Sequence, residues 1–452
     1  PYPALDRAVS PWLPYQAEAC RIMGRTSIYQ SGGAIGFRDQ LQDVTALLIL
    51  HPDICRRHIL DACRHQYAEG DVQHWWHPHP GGDRGVRTHC SDDLLWLPWA
   101  VCEYVEKTGR RDILKDSAPF LLSAPLSEDS RDRYEAPKVS PEQYSVQEHC
   151  MRALELVLKR GAGPHRLLRM LGGDWNDGMD AVRGESVWLT WFFSHTARRF
   201  SDLTGLEKYR DAAEAYARAA EQAWDGDHWL RGYFSDGTPL GAGGSTACRL
   251  DSIAQSFACL CPVDPSRLQT ALDSALGALR MDRLTALFTP PFTDEGPDPG
   301  YIRSYGPGFR ENGGQYTHAA VWLAMACLRS GRRAEGLKLL LDLLPENHPA
   351  DVYGAEPYVL SADVSTNPDH FGQAGWTWYT GSAGWYWRVV WEDLLGVRAE
   401  DGRLHIRPCS TPGLESYSFT WQSSAGESFR VEVRDGTITI NGSEYDGKGL
   451  PL

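Results

Sequence analysis

The chain has 452 residues, 45 Lys plus Arg against 59 Asp plus Glu, a formal charge of −14, and 42% apolar and 23% charged residues. That is globular composition, long enough for two or three domains or for one large helical body with an appendage. The acidic balance excludes a chain built to coat nucleic acid or an anionic membrane, since both demand a basic field; apolar runs such as Ala46 to Leu50 fall far below the roughly 18 residues of a bilayer span.

Apolar residues recur at spacings of three and four over 11–24, 37–50, 53–67, 92–107, 144–160 and 187–203, and again over 207–223, 250–261, 266–279, 316–329, 333–344 and 383–396. This periodicity predicts a mainly α chain with helices in series. Between them, 28–36, 73–91, 172–185, 291–315 and 353–381 are rich in Gly, Pro and aromatic residues and are predicted as loops. Loops of that length are uncommon in compact domains unless functional, so they predict a helical toroid with one loop-lined mouth. The stretch 127–140, rich in Ser, Glu, Asp and Arg, is the linker candidate. After Gly396 the period changes to two over 404–406, 417–421, 429–433 and 437–440, and Asp435-Gly436 signals a type I′ hairpin. The expected division is a helical catalytic body over 1–397 and a small β cap over 398–452.

Pro1 is no natural start, so further residues are expected upstream. Eleven cysteines without a CxxC pair are scattered from Cys20 to Cys409, and Cys259, Cys261 and Cys327 fall in apolar helical contexts. They read as reduced thiols of a cytoplasmic protein. Seventeen Trp and 19 Tyr are an unusual aromatic load. Flat rings stack on the C–H faces of sugars, and they equally fill large cores.

The sharpest segment is Gly172-Gly173-Asp174-Trp175-Asn176-Asp177-Gly178-Met179-Asp180. A carboxyl group beside a bulky aromatic wall can have its pKa raised enough to donate a proton to a leaving glycosidic oxygen, a task open to Asp177 or Asp174. The same residues would also suit an Asp-rich capping turn or a Ca²⁺ loop. A glycine-rich stretch from Tyr29 runs into Arg38-Asp39, where Arg donating and Asp accepting could clamp sugar hydroxyls or form a helix-terminal ion pair. It fits neither nucleotide-binding glycine pattern. His74, His77 and His79 offer three imidazoles, but without HExxH or paired cysteines a sugar-contact loop is favoured over a metal site. Ser91 is an expected N-cap for the helix after Asp92-Asp93. In 311–318 and 376–385, a His, a Thr hydroxyl and backbone N–H groups at helix starts suggest an anion site sized for one phosphate. No GxSxG nucleophile motif is present.

With those residues in place, the chain resembles glycoside hydrolase family 94, the inverting β-glucoside phosphorylases. GFRDQLQD at 36–43, RTHCSDDLLWLP at 87–98, GGDWNDGMD at 172–180, RGESVWL at 183–189, NGGQYTH at 312–318, EPYV at 356–359 and WTWYTGSAGW at 376–385 occur in the family's order. Their wording is most similar to the β-1,2-oligoglucan phosphorylase and cyclic β-1,2-glucan synthase branch. The resemblance implies an (α/α)6 helical barrel with a C-terminal β-sheet cap, without the N-terminal β-sandwich that members usually carry. It implies Asp177 as general acid, with Arg38, Asp39, Trp175, Asn176, Asp92, Gln315 and Glu356 on the sugar. His318, Thr380 and Gly381 would hold phosphate. Inorganic phosphate is then a co-substrate, no cofactor or metal is expected, and the partners are a β-gluco-oligosaccharide, phosphate and a second copy in a homodimer.

The chemistry implied is phosphorolysis to α-glucose 1-phosphate and its reversal. Phosphate arrives already anionic, so a phosphorylase needs one proton donor and a hydrogen-bonding seat for the attacking oxyanion. An inverting hydrolase on the same barrel would need a second carboxylate as base, roughly 6.5–9.5 Å from the acid, from among Asp43, Glu185, Glu311 and Glu356. A binding fragment that controls chain length within a larger synthase is the non-catalytic alternative.

Overall fold

The computed structural model describes residues 1–26 and 33–452. Six helices are almost wholly buried: Phe37–Ala46, Trp96–Thr108, Val187–Thr204, Ser252–Ala258, Thr317–Arg329 and Ser382–Val389. Between them in sequence run Pro52–Arg64, Val146–Arg160, Glu207–Gln222, Pro265–Leu279 and Arg333–Asp342, each burying a narrower set of residues. A helix apolar on all faces must lie inside, whereas a striped one faces solvent on its other side. The buried helices touch one another in chain order, and the sixth packs back onto the first. Every striped helix packs against the buried helix before it.

That arrangement gathers the residues that precede the buried helices. Arg38, in the first turn of its helix, reaches Asp92 and Asp177, which lie ahead of the next two. His318 opens the fifth buried helix and lies beside Gly381, just before the last. Ser186 and Asp251 cap two of these helices by accepting from the N–H groups of Leu189 and Ile253, satisfying donors that the helix itself cannot.

Several expectations need correction. The N-terminal helix begins at Pro3, before residue 11, and continues through alternating α and π turns to Met23, with Pro11 inside a π turn. The predicted loop 73–91 contains an antiparallel hairpin, Gln73–His77 with Arg84–Thr88. The linker candidate is no linker: Asp132–Glu135 adds to that hairpin and Lys138–Val139 pairs with Leu121–Leu122. Ser361–Val364 and Ala374–Thr377 likewise give structure to 353–381, forming a sheet with Gln315–Tyr316. These segments pair with partners distant in sequence, a pairing that local periodicity does not report. Part of the predicted loop 28–36 lies outside the described residues.

The closing strands Arg403–Ile406, Ser416–Gln422, Ser428–Arg434 and Thr437–Ile440 cover the expected runs, and Val397–Glu400 precedes them. Asp435 and Gly436 take φ of 47° and 82° between paired Arg434 and Thr437, the geometry a type I′ turn requires. Val397, Leu404, Val431 and Val433 belong to an apolar cluster separate from the main one. All eleven cysteines are free. Trp96, Trp188, Trp191, Trp229 and Trp322 are fully buried, so much of the aromatic load is core, while Trp75, Trp376 and Trp378 are half-buried. Among the described residues no helix is long and apolar enough to cross a membrane.

Candidate active site

The loop 172–180 divides its carboxylates among different tasks. Asp174 is fully buried and receives two 2.6 Å hydrogen bonds from Arg231 and one from Ser186. It is an anchor, and the expectation that it could serve as a proton donor is set aside, because both its oxygens are engaged with a buried guanidinium. Asp180 accepts from the Tyr301 N–H and pairs with Arg131. Asp177 alone keeps a substantial exposed side-chain fraction, 38%.

Asp177 faces two cations. Arg38 donates to its Oδ1, and His74 Nε2 lies 3.6 Å from its Oδ2. Arg38 is itself fixed by Asp92 and by the Asp174 carbonyl, each at 2.9 Å. His74 is held by Asp93, 2.7 Å from its Nδ1. A register shift between Gln73 and Trp75 lies at His74 in the strand; such bulges re-aim side chains. Burial alone would raise the Asp177 pKa, yet Arg38 and His74 outweigh it and hold the carboxyl well below the usual carboxylate range. The aromatic wall therefore does not set its protonation in the free site. For His74 the balance runs the other way: burial would lower its pKa, but Asp93 and Asp177 raise it well above an ordinary imidazole. Asp92, buried and next to Asp93, is pushed up to about 6 despite Arg38.

A second cluster surrounds His318. A β-carbon placed on Gly381 would lie 3.4 Å from the His318 ring and 3.4 Å from Asp43 Oδ1, so the three border one small space. Thr380 shares a hydroxyl hydrogen bond with Ser382 at the same helix start. His318 Nε2, Thr317 Oγ1 and Asp43 Oδ1 are buried without a hydrogen-bond partner. Orphaned buried polar atoms are costly unless a ligand or water completes them. Burial, reinforced by Arg21 and Arg38, pushes His318 down to about 3, so it is a neutral donor rather than a cation. Positive charge comes instead from Arg21, 2.9 Å from Asp43 and 3.3 Å from Asp39, with Arg25 behind it. Trp175 joins the clusters, its ring meeting those of Tyr316 and His318 edge-on.

Arg38, Asp39, Asp92, Trp175 and Asp177 are thus linked to His318, Thr380 and Gly381 through Arg21 and Trp175. Asn176 spends its side-chain oxygen on the Gly178 N–H, capping the short turn Asp177–Met179. Gln315 accepts from the Thr285 N–H and is buried in its sheet. Glu356 accepts from the Trp378 indole. Trp376 and Trp378, at φ of 53° and 68°, sit in the left-handed region, which bulky residues enter only when the surroundings force them. His74 was expected in a sugar-contact loop and not as the partner of Asp177; Arg21 and Arg25 were not expected at the site, and nothing local in the sequence marked them.

The three-imidazole metal grouping does not form. Among the described residues, His74 instead meets Cys90 and Asp93 within 4.8 Å. Burial and the two neighbouring aspartates push the Cys90 thiol far up, and the Arg38 guanidinium already lies 3.7 Å from its sulfur. A protonated thiol beside a fixed cation is poorly suited to hold a second positive charge. Of the four carboxylates that a hydrolase could use as base, Asp43 is tied to Arg21, Glu185 accepts from His165 and Leu167, and Glu356 is held by Trp378. Glu311, raised by burial, remains beside Arg310.

Residues 1–396 match the model of the glycosyl hydrolase 94 superfamily, catalytic domain. The chain is 45% identical over 435 residues to the cyclic beta-(1,2)-glucan synthase NdvB of Rhizobium meliloti, covering 92% of this chain and 15% of that protein. It is 26% identical to a solabiose phosphorylase of Paenibacillus borealis and 26% identical to an N,N'-diacetylchitobiose phosphorylase of Vibrio proteolyticus, in both cases over its whole length and about three fifths of theirs. The chain therefore spans only part of each of these relatives. A GH78 rhamnosidase of Bacillus sp. GL1 shares the fold with a TM-score of 0.62 at 12% identity, over 95% of this chain and 39% of the other.

Proposed function

Because the chain belongs to the glycosyl hydrolase 94 superfamily, we propose that it catalyses inverting phosphorolysis of β-linked gluco-oligosaccharides, of the β-1,2 type, and the reverse synthesis, on an (α/α)6 barrel. The observation that carries this reading is the pairing of one accessible carboxylate, Asp177, with a separate cluster of unpartnered donors around His318. The phosphorylases among the relatives support the reaction class, and the similarity to a cyclic β-1,2-glucan synthase supports the linkage.

Asp177 protonates the glycosidic oxygen while phosphate, seated by His318, Thr380, the Gly381 backbone and the charge of Arg21, attacks the anomeric carbon from the opposite face. The glycosidic bond breaks, a carbon–oxygen bond to phosphate forms, and α-glucose 1-phosphate leaves with a shortened sugar. Asp177 is ionised in the free site, so it must gain a proton on binding. Phosphate brings negative charge and the sugar displaces water, and both favour the neutral carboxyl. His74, clamped by Asp93, orients it. Asp39, Arg38 and Trp175 contact the reacting glucose, and Asp92, fully buried between Arg38 and the Trp96 indole, holds Arg38 in place; Asn176, Gln315 and Glu356 shape the surrounding walls. Supplying β-1,2-, β-1,3- and β-1,4-linked glucose oligomers with and without phosphate tests the proposal. Phosphate-dependent glucose 1-phosphate from the β-1,2 oligomer is expected, and release from another linkage alone would overturn the specificity.

A further inference from the structure

Outside the site, a cavity of ≈ 770 Å³ opens against the other side of the loop that carries Asp177. Its wall includes Gly172 and Asp180 of that loop. Most of its carboxylates already have partners: Glu69 and Asp71 are taken up by Arg87, and Asp180 by Arg131. Glu128, which also lines the cavity, has no ion-pair partner among the described residues. Against it are four basic side chains, Lys159, Arg160, Arg169 and Arg183, that have no carboxylate partner among the described residues. In a chain of charge −14 whose arginines are mostly ion-paired, this concentration requires an explanation. Like charges brought together repel unless an anion sits among them.

Two further observations point to a ligand. Arg160 Nη1 is buried and makes no hydrogen bond, leaving a guanidinium donor incomplete beside the cavity. Leu171 and Arg183, both lining it, hold φ of 54° and 51°, a strained region for side-chain-bearing residues that concentrates at binding sites. The volume falls within the roughly 300–1,000 Å³ range of small-molecule pockets. Guanidinium groups recognise phosphoryl oxygens through paired donors, with lysine as a point charge.

We propose that this cavity is a second binding site, separate from the catalytic one, for the phosphate ester of a monosaccharide, gripped by Lys159, Arg160, Arg169 and Arg183. The sugar component rests on the proposed phosphorolysis, which makes such an ester; the phosphoryl component rests on the cavity alone. Through Asp180, which both pairs with Arg131 and accepts from Tyr301, an occupant would touch the loop that positions Asp177.

Titration calorimetry with α-glucose 1-phosphate, without oligosaccharide, tests it. The native protein is expected to bind a class of ligand that the exposed-residue variant Lys159→Ala/Arg169→Ala weakens at least tenfold while its basal turnover stays unchanged. Arg160→Ala should do the same, and His318→Ala should leave this class intact. Binding that the double variant does not alter, or no binding at all, would overturn the site. Inorganic phosphate binding there as tightly as the ester would overturn the sugar component. Loss of phosphate-dependent turnover as a property of the native protein would overturn the proposed function and leave the calorimetric result standing on its own.

Discussion

The two ends of the candidate site hold their histidines in opposite states. At the acid end His74 lies between Asp93 and Asp177 and carries a proton; at the anion end His318 is buried among aromatic rings beside Arg21 and is neutral. At the first end each carboxylate and cation has a counter-charge, although Asp93 Oδ1 makes no hydrogen bond. The second leaves buried donors without partners. A site saturated with its own ion pairs can move a proton but has little reason to capture an external anion, whereas unpartnered donors near a fixed guanidinium have that reason. Under the proposed phosphorolysis, the two ends differ in where unpartnered donors remain, at His318 Nε2 and Thr317 Oγ1.

The largest effect should come from breaking the acid end. Asp177→Asn keeps the shape and loses the proton, and turnover should fall by about 10³-fold or more with an unchanged circular dichroism spectrum. Removing the anchor tests the other carboxylate of the loop: Arg231→Met leaves Asp174 buried and unpaired, and a loss of about 3–5 kcal/mol is expected in denaturant unfolding. Breaking the anion end with His318→Ala should raise KM for phosphate about tenfold, with a smaller change for the oligosaccharide, in initial-rate measurements.

The smallest effects sharpen the comparison through pH. His318 takes a proton in the unfolded chain but resists it when folded, so it costs stability as pH falls below its unfolded value near 6.5 toward about 3. His318→Gln should flatten that part of the stability curve. His74 behaves oppositely, because its folded pKa is raised. Its contribution is fully present below about pH 6.5 and is lost as pH rises through the folded value, so His74→Gln should cost most stability at acid pH and least at alkaline pH. Chemical denaturation at several pH values reads both slopes, and equal signs would contradict the contrast.

The sequence made the core of this arrangement readable where chemistry was local. Nine residues around Asp177, the start of the helix at Thr317 and the Gly381 turn announced themselves by composition, and the helical series and closing hairpin by their periods. Arg21 escaped notice because its pairing with Asp43 joins the motif-bearing helix to an N-terminal one that carries no motif. The role of His74 depends on a bulge and on a partner 103 residues away, neither of which periodicity encodes. Asn176 and Gln315 were expected on the sugar, and their side-chain oxygens accept from backbone donors. The exclusion of Asp174 likewise needed Arg231, the residue just before the distant strand Gly232–Tyr233.

The central claim is that this site joins glucose to phosphate with inversion. Time-resolved proton NMR of the anomeric signals, with a β-1,2-linked glucose oligomer and inorganic phosphate, tests it most directly. The account predicts α-glucose 1-phosphate as the first product, formed only with phosphate and absent in Asp177→Asn. Free glucose appearing at the same rate without phosphate, or β-glucose 1-phosphate as the first product, would contradict it.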